Sequence, residues 1–242
     1  MGVIGIEIII LVIVTAIVGY IGGLVGMPLG PIRLFFFLIL GISPLVAIGT
    51  NLGLSFIAVV SVIWPHVKTE NINYRIAFSF GVFSLLGSFL GGLISEYAPL
   101  DILIWFIVIF LFVSGLLIVQ NVHFIKAKTD RENRKTKKAY TIAYILGILI
   151  GILGGATGLV LGALRYPILI NYLKVTAKKT VGTNSLINLF VAIFGLTGHG
   201  LISGLSGNSH FSFQLFVPLA LTVSVTSYLG AKSVGDSLKF LY

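Results

Sequence analysis

"GMPLGPIR" (residues 26–33) sets two glycines, two prolines and an arginine inside a long apolar stretch. "GLVLGALR" (residues 158–165) repeats the glycine and arginine spacing 132 residues later. A run this apolar would otherwise continue as helix. Pro28 and Pro31 remove backbone donors and disfavour a continuous helix. Backbone left unpaired at membrane depth survives only where protein or a wet cavity surrounds it. Each break is followed by one cation, Arg33 or Arg165.

The rest of the chain says what kind of molecule carries these breaks. Its 242 residues are 57% hydrophobic and 10% charged, with a mean hydropathy of +1.09. Soluble domains carry about 25% charged residues. The composition predicts an all-α polytopic integral membrane protein. No cysteine is present, which excludes disulfides and thiolate metal sites, and no metal site or cofactor is expected. The net charge of +9 resembles a nucleic-acid signal, yet seven of the sixteen Lys/Arg residues fall between Lys126 and Lys138. That clustering suits anionic lipid and a cytoplasmic loop. Membrane lipids are therefore expected partners and nucleic acid is not.

A spanning helix needs about 20 mostly apolar residues. Candidates are 3–25, 45–64, 76–95, 101–120, 139–160, 180–199 and 211–231, with shorter apolar runs at 32–42 and 164–173. The first run has no preceding Lys or Arg and is too long for a signal-peptide core, so it reads as a retained helix. The loop 121–138 should be cytoplasmic. Counting both short runs as crossings then places Lys68, Arg75, Lys174, Lys178, Lys179, Lys232 and Lys239 inside. The N-terminus, Glu96, Asp101 and the neutral loop 200–211 fall outside. The expectation is a multi-pass protein of the cell (cytoplasmic) membrane, N-terminus outside and C-terminus inside. A first unit would cover 1–120, a basic linker 121–138 and a second unit 139–242.

At a shift of 132, Gly19, Gly22, Gly23, Gly26, Gly30 and Arg33 fall on Gly151, Gly154, Gly155, Gly158, Gly162 and Arg165. With one inserted residue, "GTN" at 49–51 falls on "GTN" at 182–184, and His66 on His199. Five segments separate the two starts, so the second copy enters the membrane in the opposite sense. Inverted repeats with interrupted helices near the midplane are a transporter signature.

Gly26 and Gly30, with Gly158 and Gly162, suit close helix packing as well as backbone approach to a ligand. Arg33 and Arg165 should lie in the first turn of a short helix, where the dipole already favours an anion. Every Asp and Glu maps to a helix end or loop. A bound oxyanion is the partner that guanidinium geometry suits; snorkelling or carbonyl contacts are the alternative. Thr50, Asn51, Thr183 and Asn184 stand where long helices should begin, as N-caps or as two polar clusters near the centre. His66 and His199 fall at the expected ends of those helices, as aqueous-boundary residues or as groups for gating or proton handling. No phosphate-binding loop, zinc motif or activated nucleophile is visible, so no catalytic residue is expected.

These features resemble the sulfite exporter TauE/SafE family of membrane permeases over nearly the whole chain. "GGATGLVLGALRYP" (154–167) is similar to that family's glycine-rich motif, with Gly158, Gly162 and Pro167 in place. "AIGTN" (47–51) and "TVGTN" (180–184) are similar to its second motif. Val160 and Leu161 replace glycines of the family pattern, and Arg33 and Arg165 stand where it is more often apolar. The resemblance implies a permease for sulfite, a sulfonate or a related organosulfur anion, not an enzyme. An anion channel and a non-transporting scaffold that binds lipid head groups remain as other readings, and a homo-oligomer is compatible with each.

Overall fold

The computed structural model describes residues 5–25, 29–68, 70–99, 101–102, 104–106, 108–109, 112–113 and 137–239. Of residues 25, 64–66, 137–139, 177–178 and 234–239 it describes the backbone alone. Among the described residues the regular structure is entirely helical. The helices are α1 (Gly5–Val25), α2 (Gly30–Ile39), α3 (Pro44–Lys68), α4 (Tyr74–Ile94), α5 (Lys137–Thr157), α6 (Gly162–Pro167), α7 (Ala177–Ser206) and α8 (Phe213–Lys239). A single π-helical turn, Ile168–Tyr172, continues α6. Pro167, which has no N–H to give to a regular ladder, stands at the junction.

Six of these helices are long and apolar enough to cross a membrane: α1, α3, α4, α5, α7 and α8. The seventh expected span, 101–120, is helical at its described residues; the others, with linker residues 121–136 and Gly26, lie outside the described residues. The short runs begin two residues earlier than expected, at Gly30 and Gly162. The 10 residues of α2 rise about 15 Å, half of a hydrocarbon core of about 30 Å.

Several boundaries differ from the sequence reading, with visible causes. α5 stops at Thr157 rather than 160. Gly158 takes the left-handed conformation, φ +71°, and the Leu159 N–H reaches back to the Gly154 carbonyl, a glycine-dependent helix stop. α7 runs to Ser206 and is closed by Gly207 at φ +77°. Residues 200–206, expected in a loop, are thus helical; Gly200 and Gly204 meet no neighbour that would break the helix.

Polarity is distributed inside out. Ile6, Ile9, Ile13 and Ile17 of α1 are exposed, as are Phe78, Val82, Leu86 and Leu90 of α4 and Val217, Leu221 and Val225 of α8. Arg33, Thr50, Asn51, Ser55, Arg165, Asn184, Asn188 and His199 are buried. Apolar stripes of this extent face lipid in a membrane protein. The apolar core around Leu34, Phe37, Ile48, Leu52, Leu169 and Ile187 encloses the polar residues.

The packing is reciprocal. α4 lies against α5 and α7, whereas α8 lies against α1 and α3. Glycines make both crossings close. A Cβ on Gly23 of α1 would sit 2.2 Å from the Ser227 carbonyl oxygen of α8, and one on Gly155 of α5 would sit 2.0 Å from that of Ser88 on α4. Small residues permit this approach, and dispersion contact is what holds helices together where lipid removes the hydrophobic drive.

Candidate functional site

Arg33 and Arg165 each occupy the fourth position of a short helix and turn into the protein, 2% and 0% exposed. Neither meets a carboxylate among the described residues: the hydrogen-bond partners of both are asparagine, serine and a backbone carbonyl. Their surroundings correspond across the two breaks. Gly30, three residues before Arg33, abuts Asn51 and Ser55 of α3; Gly162 abuts Asn184 and Asn188 of α7. A side chain at either glycine would fall on those polar groups inside van der Waals contact, with Cβ separations of 2.9–3.1 Å.

The two guanidiniums are served differently. Arg33 donates from Nε to Asn51 Oδ1 at 2.8 Å, and from Nη2 to Ser55 Oγ at 3.2 Å and the Asn51 carbonyl at 3.3 Å. Arg165 donates from Nη1 alone, to Asn188 Oδ1. Its Nε and Nη2, and Nδ2 of Asn188, are buried donors without a hydrogen-bond partner. Nε–H and Nη2–H form one parallel edge of the guanidinium, the fork that grips two oxygens of a carboxylate, sulfonate or similar oxyanion. In Arg33 that same edge is filled by Asn51 and Ser55. Arg33 also lines a narrow cleft with Gly19, Gly23, Val59 and Ser227. The arginines share no hydrogen-bond partner; the constellations join where Asn51 Nδ2 donates to the Gly158 carbonyl at 2.8 Å.

The "GTN" segments lie inside helices, not at their starts. α3 begins at Pro44 and α7 at Ala177, so Thr50, Asn51, Thr183 and Asn184 are not N-caps. Gly182 and Thr183 receive the loop before α4. A Cβ on Gly182 would be 2.3 Å from the Asn71 carbonyl oxygen, and Asn73 N–H donates to Thr183 Oγ1 at 2.9 Å. Gly49 and Thr50 receive the loop before α8 in the same manner. A Cβ on Gly49 would be 1.9 Å from the His210 carbonyl oxygen, and Ser212 N–H donates to Thr50 Oγ1 at 3.1 Å. The asparagines serve the breaks, Asn184 Nδ2 donating to the Gly162 carbonyl at 3.2 Å.

His199 is not at an aqueous boundary. It is buried within α7, its Nε2 2.8 Å from the Gly155 carbonyl oxygen. Its Nδ1 faces Ser95 Oγ at 3.2 Å and His210 Nδ1 at 2.9 Å. His66 lies in the last turns of α3; only its backbone is described. Among the described residues no group of His, Asp and Glu is arranged to hold a metal ion.

A family model described as sulfite exporter TauE/SafE matches residues 11–239. The chain belongs to that family. It is a family of membrane transporters, not an enzyme class. Probable membrane transporter protein YdhB of Bacillus subtilis (strain 168) is 29% identical over 187 residues, 77% of this chain and 73% of its own. A probable membrane transporter protein of Methanocaldococcus jannaschii is 34% identical over 132 residues, 52% of this chain and 49% of its own. No solved structure matches.

In this TauE/SafE family member, sequence reasoning missed Ser55 and Asn188, the outer partners of the arginines, although they correspond at the same shift of 133 as the "GTN" segments. Four residues past Asn51 and Asn184, each lies on the same helix face, which is the signal that could have found them. It also missed His210, Glu96 and Ser95 around His199. Nothing in sequence spacing links a residue at the end of α4 to one before α8.

Proposed function

We propose that this transporter carries a small sulfur-containing anion, such as sulfite, a sulfonate or a related organosulfur acid, by alternating access. The observation that carries the reading is the unpaired Nε/Nη2 edge of buried Arg165. A dehydrated cation with two parallel free donors and no carboxylate nearby is stabilised by an oxyanion more than by any neutral ligand. Sulfur enters through the family's name, and the fork alone asks only for paired oxygens.

The two halves, 1–120 and 139–242 with the basic linker 121–138 between them, act as inverted repeats. Supporting this, each arginine, its preceding glycine and its two helix partners correspond at shifts of 132 and 133, and the fourth helix of each half packs on the first and third of the other. The anion binds between the halves. Arg165 grips it, Arg33 holds the equivalent position with its edge closed by Asn51 and Ser55, and Gly30, Gly158 and Gly162 let the breaks pack directly on Asn51, Ile48 and Asn184. Rocking one half against the other exchanges which arginine is open. Thr50 and Thr183 keep their loops docked during this motion, and Asn51 and Asn184 orient the break carbonyls. The protein lies in the cytoplasmic membrane with its N-terminus and the loops around Glu96 and 207–212 outside, and its basic linker and C-terminus inside, following the distribution of Lys and Arg.

The test is flux of labelled sulfite and sulfoacetate into proteoliposomes. Saturable uptake with counterflow is expected, falling at least about tenfold for Arg165→Ala, the loss of one charge-assisted contact. Unchanged flux in folded Arg165→Ala would remove the arginine from the mechanism. Conductance without counterflow would mark a channel, and lipid binding without flux a scaffold.

A further inference from the structure

No residue of the Glu96–His210–His199 chain hydrogen-bonds to either arginine. His199 Nε2 faces the Gly155 carbonyl at 2.8 Å, the two Nδ1 atoms face each other at 2.9 Å, and His210 Nε2 faces Glu96 Oε2. A carbonyl oxygen only accepts, and so does an ionised carboxylate. Three contacts between two acceptor ends therefore need three hydrogens, whereas two neutral imidazoles carry two. Ser95 supplies none, because its hydroxyl donates to the Gly92 carbonyl at 2.7 Å. The chain closes only when it holds one extra proton.

We propose that this chain is a one-proton site, and that its loading couples anion movement to the proton gradient. The second half of that statement rests on the permease reading above. The proton is shared. An N–H bond breaks on His210 Nδ1 as one forms on His199 Nδ1, and all three contacts stay intact in either arrangement. Side-chain exposures of 2% for His210 and 13% for Glu96 put the entry at Glu96 and the store at the histidines.

The end of α4 contributes Glu96 and neutral Ser95; α7 contributes His199; the loop before α8 contributes His210 and neutral Asn208. Neutral Ser206 of α7 also faces the Glu96 carboxylate. α5 and α3 present the Gly155 carbonyl and the backbone of Gly49. Asn208 and then His210 donate to the Glu96 carboxylate and hold its pKa below the usual carboxylate value, so Glu96 is the accepting end of the chain.

The location supplies the coupling. Gly155 is three residues before Gly158, whose carbonyl receives Asn51, which in turn receives Arg33. His210 also sits in the loop docked on Gly49 and Thr50, next to Asn51. Without the extra proton, two acceptor atoms face each other within this chain, and the loop loses its bridge to the second break. The equivalent loop before α4 presents Asn71 to Gly182 where this one presents His210 to Gly49. The device is therefore built into one of the two docked loops.

Two measurements test this. In ¹⁵N-histidine spectra of the purified protein, His199 and His210 should titrate as one coupled pair, and Glu96→Gln or His210→Gln should move the His199 signal. Independent titrations, each unmoved by changes at the other residues, overturn the shared proton. In proteoliposomes, labelled sulfoacetate should accumulate about tenfold for a pH difference of about one unit with one proton per anion. The ratio of gradient-driven accumulation to counterflow should fall about tenfold in both Glu96→Gln and His210→Gln. An unchanged ratio in variants that still perform counterflow overturns the coupling. If the wild type shows no counterflow, the permease reading fails instead, and the histidine titration alone decides whether the shared proton exists.

Discussion

Asn51 and Asn184 are the same residue at corresponding places, and they treat their arginines differently. Asn51 Oδ1 accepts from Arg33 Nε, whereas Arg165 Nε is left unpartnered. This asymmetry separates a closed arginine from an open one. Arg33→Ala strips a buried amide oxygen and a serine hydroxyl of their donor, and should destabilise the protein by about 2–3 kcal/mol, read as a lower melting temperature in detergent. Arg165→Ala removes a charge with one protein hydrogen bond, and should cost far less stability while weakening anion binding. Arg165→Lys keeps the charge but not the fork. Anion-dependent thermal stabilisation should weaken by about tenfold in affinity, and full retention would show that charge alone suffices.

At the scale of elements, the glycines divide by what they touch. Gly158 combines φ +71° with a Cβ position 2.7 Å from Ile48 Cα. Gly158→Ala therefore meets backbone strain of about 1–2 kcal/mol and must also push α3 away, so a large drop in melting temperature is expected. Gly151 would place a Cβ 2.2 Å from the Ser84 carbonyl oxygen, and Gly151→Leu should separate α5 from α4. Gly204 lies within α7 and meets nothing. There Gly→Ala should stabilise by up to about 1 kcal/mol, the difference in helix propensity. A similar loss for Gly204→Ala and Gly158→Ala would refute the division. The two breaks were legible from glycine, proline and arginine spacing because those residues act on their own local backbone. The length of α7 was not. Nothing local in 200–206 marks a helix as continuing, and its end is a left-handed Gly207 indistinguishable in sequence from Gly200 or Gly204.

For the whole molecule, the loop before α8 is pinned from several elements at once: to α3 through Thr50, to α7 through His199, and to the end of α4 through Glu96. Hydrogen bonds from Asn208 and His210 lower the Glu96 pKa in the folded state relative to its usual value of 4.5. Its contribution is therefore present above that unfolded value and is lost as pH falls through the lower folded one. Melting temperature should decline through this acidic window in the wild type, and the decline should be shallower in Glu96→Gln. Identical pH profiles for the two proteins would remove Glu96 from the docking of this loop.

Composition and hydropathy by themselves determined that this chain is a helical membrane protein, because removing about 20 apolar residues from water outweighs every tertiary detail. The duplicated breaks, with an arginine in the first turn after each, were likewise written in the order of residues, since turn-scale backbone preferences are local. Which guanidinium edge is filled, what the "GTN" segments hold and which groups surround His199 were decided by tertiary structure alone. Each depends on side chains from separate helices and loops meeting in a low-dielectric interior, where a hydrogen-bond donor with or without a partner differs by several kcal/mol. For the groups around His199, residue spacing carries no record of that meeting.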